Sequence, residues 1–490
     1  MVSSVASKET VVQRFAPLFL PQAIAVVGAS AKGNAQGNRF IRQLRMVGYE
    51  GAIYPIHPTE RVVDNLQAYP SLAVTPEPID YAFIAIAGER VPDLLANAHG
   101  RVRFAQVMSS GFGESAGGGE LEKTLIEAAR RGGARLIGPN CMGTHSPRGR
   151  LTFVDGGPDS PGTVAVMSQS GGLAIDVLQR GRSRGLEFSG IVSLGNCADL
   201  GPNDFLEYFL ADTETRVIGA YIEHVSDGRR FFEQLRAAGA KKPVIILKAG
   251  RTQQGQRAAA SHTGSLADND QIWCALAKQT GAILVDTLEE FIDALVAFQN
   301  YTPRLAAPTG RVLLFGNGGG ASVLATDFLA KLGLDVVPLD ASTTKSLEHL
   351  ALPAGASISN PIDVPANIFR KNRGELAQLI LEIVAQSENT EGILMHLNVS
   401  VILGYRDVDM LTDLIEAAVR AKAKCQGRTH LMLALRSNGQ PESEQRMREG
   451  RLRAMKAGIP VFDEIPNQAR AMAAIHAYER FRSQHVMALA

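Results

Sequence analysis

One pattern occurs three times along this chain, and it narrows the available folds more than any other feature. A short, β-branched apolar strand runs straight into small residues and then into an amphipathic helix. The copies are AIAVVGAS (23–30), TVAVMSQSGG (163–172) and RVLLFGNGGG (311–320), with their last residues about 140 to 150 apart. Apolar strands without alternation are buried on both faces, as in parallel sheets covered by helices. Helical stretches stand between them, at 121–133, 231–242 and 324–334, each leading into a further strand: ARLIGPN, PVIILKAG and DVVPL. The expected fold class is α/β, with three doubly wound parallel-sheet domains in series. Their expected bounds are 10–150, 151–300 and 308–490, separated by Pro- and Gly-rich linkers at 144–162 and 299–310.

Charge excludes several partners. Fifty Lys and Arg against 49 Asp and Glu leave a formal charge of +1, so no basic excess exists to neutralise a nucleic acid or hold an anionic membrane. The four cysteines, Cys141, Cys197, Cys274 and Cys425, have neither zinc-ligand spacing nor the density of a disulfide framework, and no metal site is expected. No basic leader precedes an apolar core, and no apolar run reaches about 18 residues, so the cytoplasm is the expected location.

A strand entering a helix through Gly and Ser leaves backbone N–H groups at the positive end of the helix dipole, which suits phosphate or carboxylate. The first turn, Gly28-Ala29-Ser30, replaces the second glycine of a dinucleotide fingerprint. The next strand ends in His57-Pro58, with no acid to hold a ribose, which disfavours NAD. Another phosphate-bearing ligand fits better, coenzyme A first among them; the bland alternative is a turn that needs glycine for packing alone. The second turn, Ser168-Gln169-Ser170-Gly171-Gly172, is either a phosphate cradle or an imperfect nucleophile elbow centred on Ser170. The third, Gly316 to Gly320, is either an anion nest or inherited geometry.

Residues 250–270, GRTQQGQRAAASHTGSLADND, read as a long surface loop before a helix starting near Ala267. His262 stands there among small residues, with an accessible ring. It is a candidate general base, a metal ligand without evident companions, or a nucleophile that takes a phosphoryl group. Such a nucleophile needs a carboxylate to fix its tautomer. Glu223, ending the strand VIGAYIE, is the candidate, against the plain reading of a surface carboxylate at a strand end.

The motifs VVGAS, AYPSL, SSGFGE, GPNCMG, MSQSGG, SLGNCAD, YIE, LKAGRT and ASHTGSLA, in this order, resemble the ADP-forming (NDP-forming) acyl-CoA synthetases, relatives of succinyl-CoA synthetase. The resemblance spans nearly the whole chain. It implies a CoA-binding Rossmann-like domain followed by two flavodoxin-like domains. It gives His262 the role of a phosphorylated histidine and Glu223 that of the carboxylate holding its ring. Ser168, Gln169, Ser170, Gly171 and Gly172 become the phosphate cradle, and Gly28, Ala29 and Ser30 the CoA turn. The implied reaction interconverts carboxylic acid, CoA and ATP with acyl-CoA, ADP and phosphate, through acyl phosphate and phosphohistidine. Where the family commonly has Asn-Pro-Lys, this chain has His57-Pro58-Thr59, so Arg39 or Arg61 is expected to meet the CoA phosphate. His224 replaces a small residue, and Asp268-Asn269-Asp270 replaces Gly-Ser-Asp. Nothing after residue 300 resembles the ATP-grasp module of the family. The resemblance therefore implies an ATP-grasp β subunit as partner in a hetero-oligomer, with Mg2+ and ADP or ATP on that partner. The alternative is a non-catalytic, regulatory acyl-CoA-binding protein.

Overall fold

The computed structural model describes residues 9–263, 269–304, 307–370, 373–425 and 427–489, apart from the side chains of 259–263 and 485–489. The first sheet contains β1 (Ala23–Val27) and β2 (Ala52–Ile56). After a hairpin of β3 (Val62–Val63) and β4 (Leu66–Gln67), it continues with β5 (Ile79–Ile84), β6 (Val102–Val107) and β7 (Arg135–Ile137). The second holds β8 (Gly143–His145), β9 (Val164–Ser168), β10 (Phe188–Ser193), β11 (Val217–Ile222), β12 (Val244–Lys248) and β13 (Ile283–Val285). The third holds β14 (Val312–Gly316), β15 (Ile362–Asp363), β16 (Gly392–Asn398), β17 (His430–Arg436) and β18 (Val461–Phe462).

Each sheet repeats one winding order. The chain lays its second parallel strand outside the first, crosses back, and places the third on the other side: β2-β1-β5-β6-β7, β10-β9-β11-β12-β13 and β15-β14-β16-β17-β18. The reversal opens a crevice at the carboxyl ends of the first and third strands, where ligands of such folds bind. The α/β class expected from the repeated pattern is therefore present in all three copies.

Contacts divide the chain into two compact units, one of residues 1–179 with 187–286 and the other of 180–186 with 287–490. In the first unit the helix Val11–Phe19 is a wedge between two sheets. Phe15 stacks near Phe104 of the first sheet, and Phe19 lies flat on Tyr208, at 4.4 Å, on a helix of the second. These rings belong to one continuous core with β1, β9 and β11. The expected linker at 144–162 is part of this join: β8 pairs antiparallel with β10. In the second unit the helix Leu288–Gln299 packs on the helix Ile465–Leu489. Its Asp293 is buried between Arg184 and the Nδ2 of Asn467, 2.6 Å away.

Two expectations need correction. DVVPL is not a strand; beyond a single bridge at Asp335, its place beside β14 is taken by β15. The Asn360 amide fills the gap, donating to the carbonyls of Val312 (2.8 Å) and Val337 (2.9 Å) and accepting from Leu314 N–H (3.1 Å). The stretch 250–270 is not a plain loop either. It forms the helix Gln253–Thr263, because Gln, Arg and three consecutive alanines outweigh one glycine. Thr252 caps it by accepting from Gly255 N–H at 3.0 Å. The following helix starts at Asp270, capped by Asn269, rather than near Ala267.

Candidate active site

The crevice of the second sheet lies between the ends of β9 and β11, where Ser168 stands in register with Tyr221. The serines that follow β9 shape the turn. Ser168 is buried, and its hydroxyl donates to the carbonyl of Ser170 (2.7 Å) and accepts from Ser170 N–H (3.2 Å). Ser170 Oγ accepts from Leu173 N–H at 3.3 Å, which caps the helix Gly171–Ser183. Gly171 and Gly172 then supply the first-turn N–H groups that helix geometry leaves unsatisfied. The space beside Gly172 is open, with nothing within 4 Å of a Cβ placed there. Of the five residues of this turn, both serine hydroxyls hold the turn itself.

Gln169 crosses the crevice. Its Oε1 accepts from the backbone N–H groups of Glu223 (2.6 Å) and His224 (2.9 Å), and its Nε2 donates to Cys197 Sγ (3.3 Å). Gln169 is thus a strut that sets where Glu223 stands. Burial pushes the Cys197 thiol up to about 12, and it stays neutral beside the strut. Lys248, at the end of β12, donates to the carbonyl of Glu223 at 2.9 Å. Tyr221 donates its phenol proton to Glu223 Oε1 at 3.1 Å. Glu223 is thus fixed at its N–H, its carbonyl and one carboxylate oxygen. Tyr221 and Lys248 escaped the sequence reading, although a signal existed: residues two apart on a strand share a face, and Tyr221 precedes Glu223 by two.

The nucleophile candidate, His262, lies outside the described side chains; its backbone is near the end of the helix Gln253–Thr263. Arg251, before that helix, pairs with Asp270 (2.5 Å), the first residue of the next helix, and with Asp286. The Asp270 hydrogen bond raises the Arg251 guanidinium above its ordinary range, and the same bond lowers the Asp270 carboxyl.

The first sheet presents Gly28, Ala29 and Ser30 at its own crevice. Gly28 has φ +97°, and a Cβ there would stand 2.1 Å from the carbonyl oxygen of Ala85. Packing against the neighbouring strand end is therefore enough to require a glycine here. Gly37 is equally forced, since its missing Cβ would meet Ala29 N at 2.4 Å, which lets the helix Gln36–Met46 approach the turn. Buried Asn38 on that helix accepts from Ser30 N–H (2.9 Å) and donates to the Ser30 carbonyl (3.0 Å). Arg39, on the same helix, bonds to Asp155 at 2.8 Å; both side chains are more than half exposed, so the pair can open toward an anion. The Arg39 hydrogen bond holds the Asp155 carboxyl below its usual range.

Between the first two crevices, loops of both sheets interlock. Asn196 N–H donates to the carbonyl of Pro139 (3.0 Å), and Met142 N–H donates to Ser193 Oγ (3.0 Å). The Asn196 side chain donates to Glu114 (2.5 Å) and Glu122 (2.8 Å). Burial would raise Glu114, but bonds from Asn196 and from the Gly111 and Phe112 N–H groups outweigh it and hold it below its ordinary value. The SSGFGE, GPNCMG and LGNCAD motifs are thereby one piece of structure.

The third crevice keeps the strut. Asn317 Oδ1 accepts from Asn398 N–H at 2.8 Å. Beneath it His396 is fully buried, with Nε2 at 2.9 Å from Ser322 Oγ. Asn317 Nδ2 and His396 Nδ1 have no hydrogen-bond partner among the described residues. Among those residues, no group of three or more His, Cys, Asp or Glu could hold a metal ion, and no helix is long and apolar enough to cross a membrane.

Comparisons with known proteins agree with this architecture. Residues 22–147 match a CoA binding domain, and 161–298 match a succinyl-CoA ligase like flavodoxin domain. The α subunit of acetate–CoA ligase (ADP-forming) I from Pyrococcus furiosus is 32% identical over 481 residues, covering 96% of this chain and 98% of that subunit. The Archaeoglobus fulgidus acetate–CoA ligase (ADP-forming) I is 31% identical, and this chain spans 64% of its length. Among solved structures, acetyl-coenzyme A synthetase 1 of Ca. Korarchaeum cryptofilum, "dinucleotide forming" and bound to phosphate and ADP, superposes with a TM-score of 0.83. It is 31% identical, over 97% of this chain and 99% of that one. The chain belongs to the ADP-forming acyl-CoA synthetases, acid–thiol ligases of the succinyl-CoA synthetase type. Within that family it corresponds to the CoA-binding α subunit.

Proposed function

We propose that this chain carries the phosphoryl relay of an acyl-CoA synthetase, with His262 as the relay group. In the ATP-forming direction, phosphate attacks the thioester carbonyl of acyl-CoA and displaces the CoA thiolate, leaving an acyl phosphate. His262 attacks its phosphorus and releases the carboxylate. The phosphoryl group then passes from the imidazole to ADP. Glu223 holds the ring in the tautomer whose free nitrogen attacks, and balances the charge that the ring gains. The N–H groups of Gly171 and Gly172 receive the phosphate oxygens at the helix N-terminus. CoA lies along the Gly28–Ser30 turn, with Arg39 released from Asp155 to meet one of its phosphates. The nucleotide and its Mg2+ belong to an ATP-grasp partner subunit, and the other substrate is a carboxylic acid, as is the acetate named for the relatives.

The observation that supports this reading best is the three-point fixation of Glu223 beside the open N–H groups of Gly171 and Gly172. A solvated strand-end carboxylate has no need of a strut, a lysine and a phenol. The test is covalent. The chain, incubated with labelled acyl phosphate or with labelled ATP and the partner, takes up phosphate that survives alkali and is lost in acid. His262→Ala abolishes the label and keeps CoA affinity by calorimetry. Acid-labile phosphate persisting on the His262→Ala chain overturns the relay.

A further inference from the structure

Glu223 is the first residue after β11, and a glutamate there has three side-chain torsions to fix. Fixing them during the reaction costs conformational entropy at each turnover; fixing them beforehand removes that cost from the barrier. Gln169 and Lys248 hold the Glu223 backbone through its N–H and its carbonyl. Tyr221 acts on the side chain itself.

We propose that Tyr221 is a positioning residue for the phosphoryl relay, its phenol fixing one oxygen of the Glu223 carboxylate so that the group meets His262 in one orientation. The inference rests on the role given to Glu223 above and adds a group that neither the motifs nor the comparisons assign. Three features of the structure carry it. The Tyr221 hydroxyl lies 3.1 Å from Glu223 Oε1, within hydrogen-bond range. Tyr221 is the next-to-last residue of β11 and Glu223 the first residue beyond it, so the two groups lie together at the carboxyl end of one strand. Tyr221 is also pinned from beneath, in register with Ser168, and its carbonyl accepts from Gln169 N–H at 3.3 Å. The ring therefore belongs to the same fixed assembly as the strut and the cradle. Burial first, and then the Glu223 charge, raise this phenol above its ordinary range. It remains a donor at every pH at which the protein works.

The role differs from that of a packing tyrosine. A phenol that only fills space is replaced by phenylalanine at no functional cost. A phenol that donates to a carboxylate favours one rotamer of it, so its loss is felt in the rate of the step that the carboxylate serves. Removing one hydrogen bond to a charged group is worth about tenfold in rate.

The experiment measures rapid-quench phosphorylation of the full chain by labelled acetyl phosphate. The parent, Tyr221→Phe, Glu223→Gln and the double variant are compared from the acid to the alkaline side of the activity range. Tyr221→Phe is expected to slow labelling about tenfold. The double variant is expected to match Glu223→Gln, because Tyr221 acts only through that carboxylate. Parent-like labelling by Tyr221→Phe at every pH, beside an impaired Glu223→Gln, overturns the inference and leaves the relay standing. Losses that multiply in the double variant also overturn it. A parent chain that takes no label, or a Glu223→Gln chain that labels normally, defeats the relay reading instead.

Discussion

At the end of β9 the amide of Gln169 reaches across to the backbone of β11, and at the end of β14 the amide of Asn317 reaches across to β16. The registers agree closely. Ser168 faces Tyr221 and Gly316 faces His396, and each strut accepts from the residue two further along, Glu223 in one copy and Asn398 in the other. The backbone device is the same in both. The side chains differ in kind. Where the second sheet has a phenol beneath a carboxylate, the third has a buried imidazole beneath an amide. The Asn398 amide accepts from Val401 N–H at 3.3 Å and caps the short helix Val399–Leu403. The second and third crevices thus share a braced rim, and the residue placed on that rim decides whether the crevice holds a charge.

The contrast breaks first at Glu223. Glu223→Gln keeps size and removes the charge, making the second rim resemble the third. Losing one preorganised electrostatic partner costs about 10²–10³ in rate. Phosphorylation of His262 should slow by that factor without vanishing, while CoA affinity, measured by calorimetry, stays unchanged. A rate within about threefold of the parent would mean that the carboxylate does no more than the Asn398 amide, far short of an electrostatic role.

The imidazole beneath the third rim makes its unit sensitive to acid. Burial, with a smaller contribution from the Arg436 guanidinium, lowers the His396 imidazole from its ordinary value of 6.5 to about 4. The sign follows from where protons bind. Above about pH 6.5 the ring is neutral in both folded and unfolded chains, and stability does not depend on it. Between about pH 6.5 and 4 the unfolded chain takes up the proton and the folded unit refuses it, so stability falls as pH falls. The loss reaches about 3 kcal/mol near pH 4 and then levels off. Calorimetric melts across this range should show the slope in the second unit, and His396→Asn should flatten it. A slope equal to that of the parent in this variant would assign the acid sensitivity to other groups.

Much of this was legible in sequence because glycine turns and β-branched runs are local signals. The threefold pattern identified three parallel sheets, and the motif order identified the family. What escaped is informative about why. The role of Gly28 depends on a carbonyl of Ala85, on a different strand end far along the chain, and no local pattern encodes that contact. Gln169 reads as part of a phosphate cradle because it sits in a glycine-rich turn, and its bonds to Glu223, His224 and Cys197 join residues far apart in sequence, which no local pattern encodes. DVVPL had the composition of a strand but lost its place to a side chain, since the Asn360 amide satisfies the β14 edge. The helix Val11–Phe19 gave no sign that it would join the first two sheets, because a wedge is defined by two surfaces that exist only after folding.

The smallest effect separates the two struts themselves. Gln169→Ala removes the acceptor of two backbone N–H groups, those of Glu223 and His224, and the donor to Cys197. Asn317→Ala removes the acceptor of one, that of Asn398, and also deletes an Nδ2 that has no partner among the described residues. A buried N–H left unsatisfied costs about 1–3 kcal/mol, and deleting an unpaired donor returns part of that. Gln169→Ala should therefore lower the stability of the first unit by about 2 kcal/mol, and Asn317→Ala that of the second by about 1 kcal/mol or less. Trp273, the single tryptophan of the chain, lies in the first unit, so its emission during denaturant titration follows that unit directly. Hydrogen exchange at the amides of Leu397 to Val399 follows the second. Equal costs in the two variants would mean that the number of bonds a strut makes is immaterial, and that both amides serve only to fill the crevice.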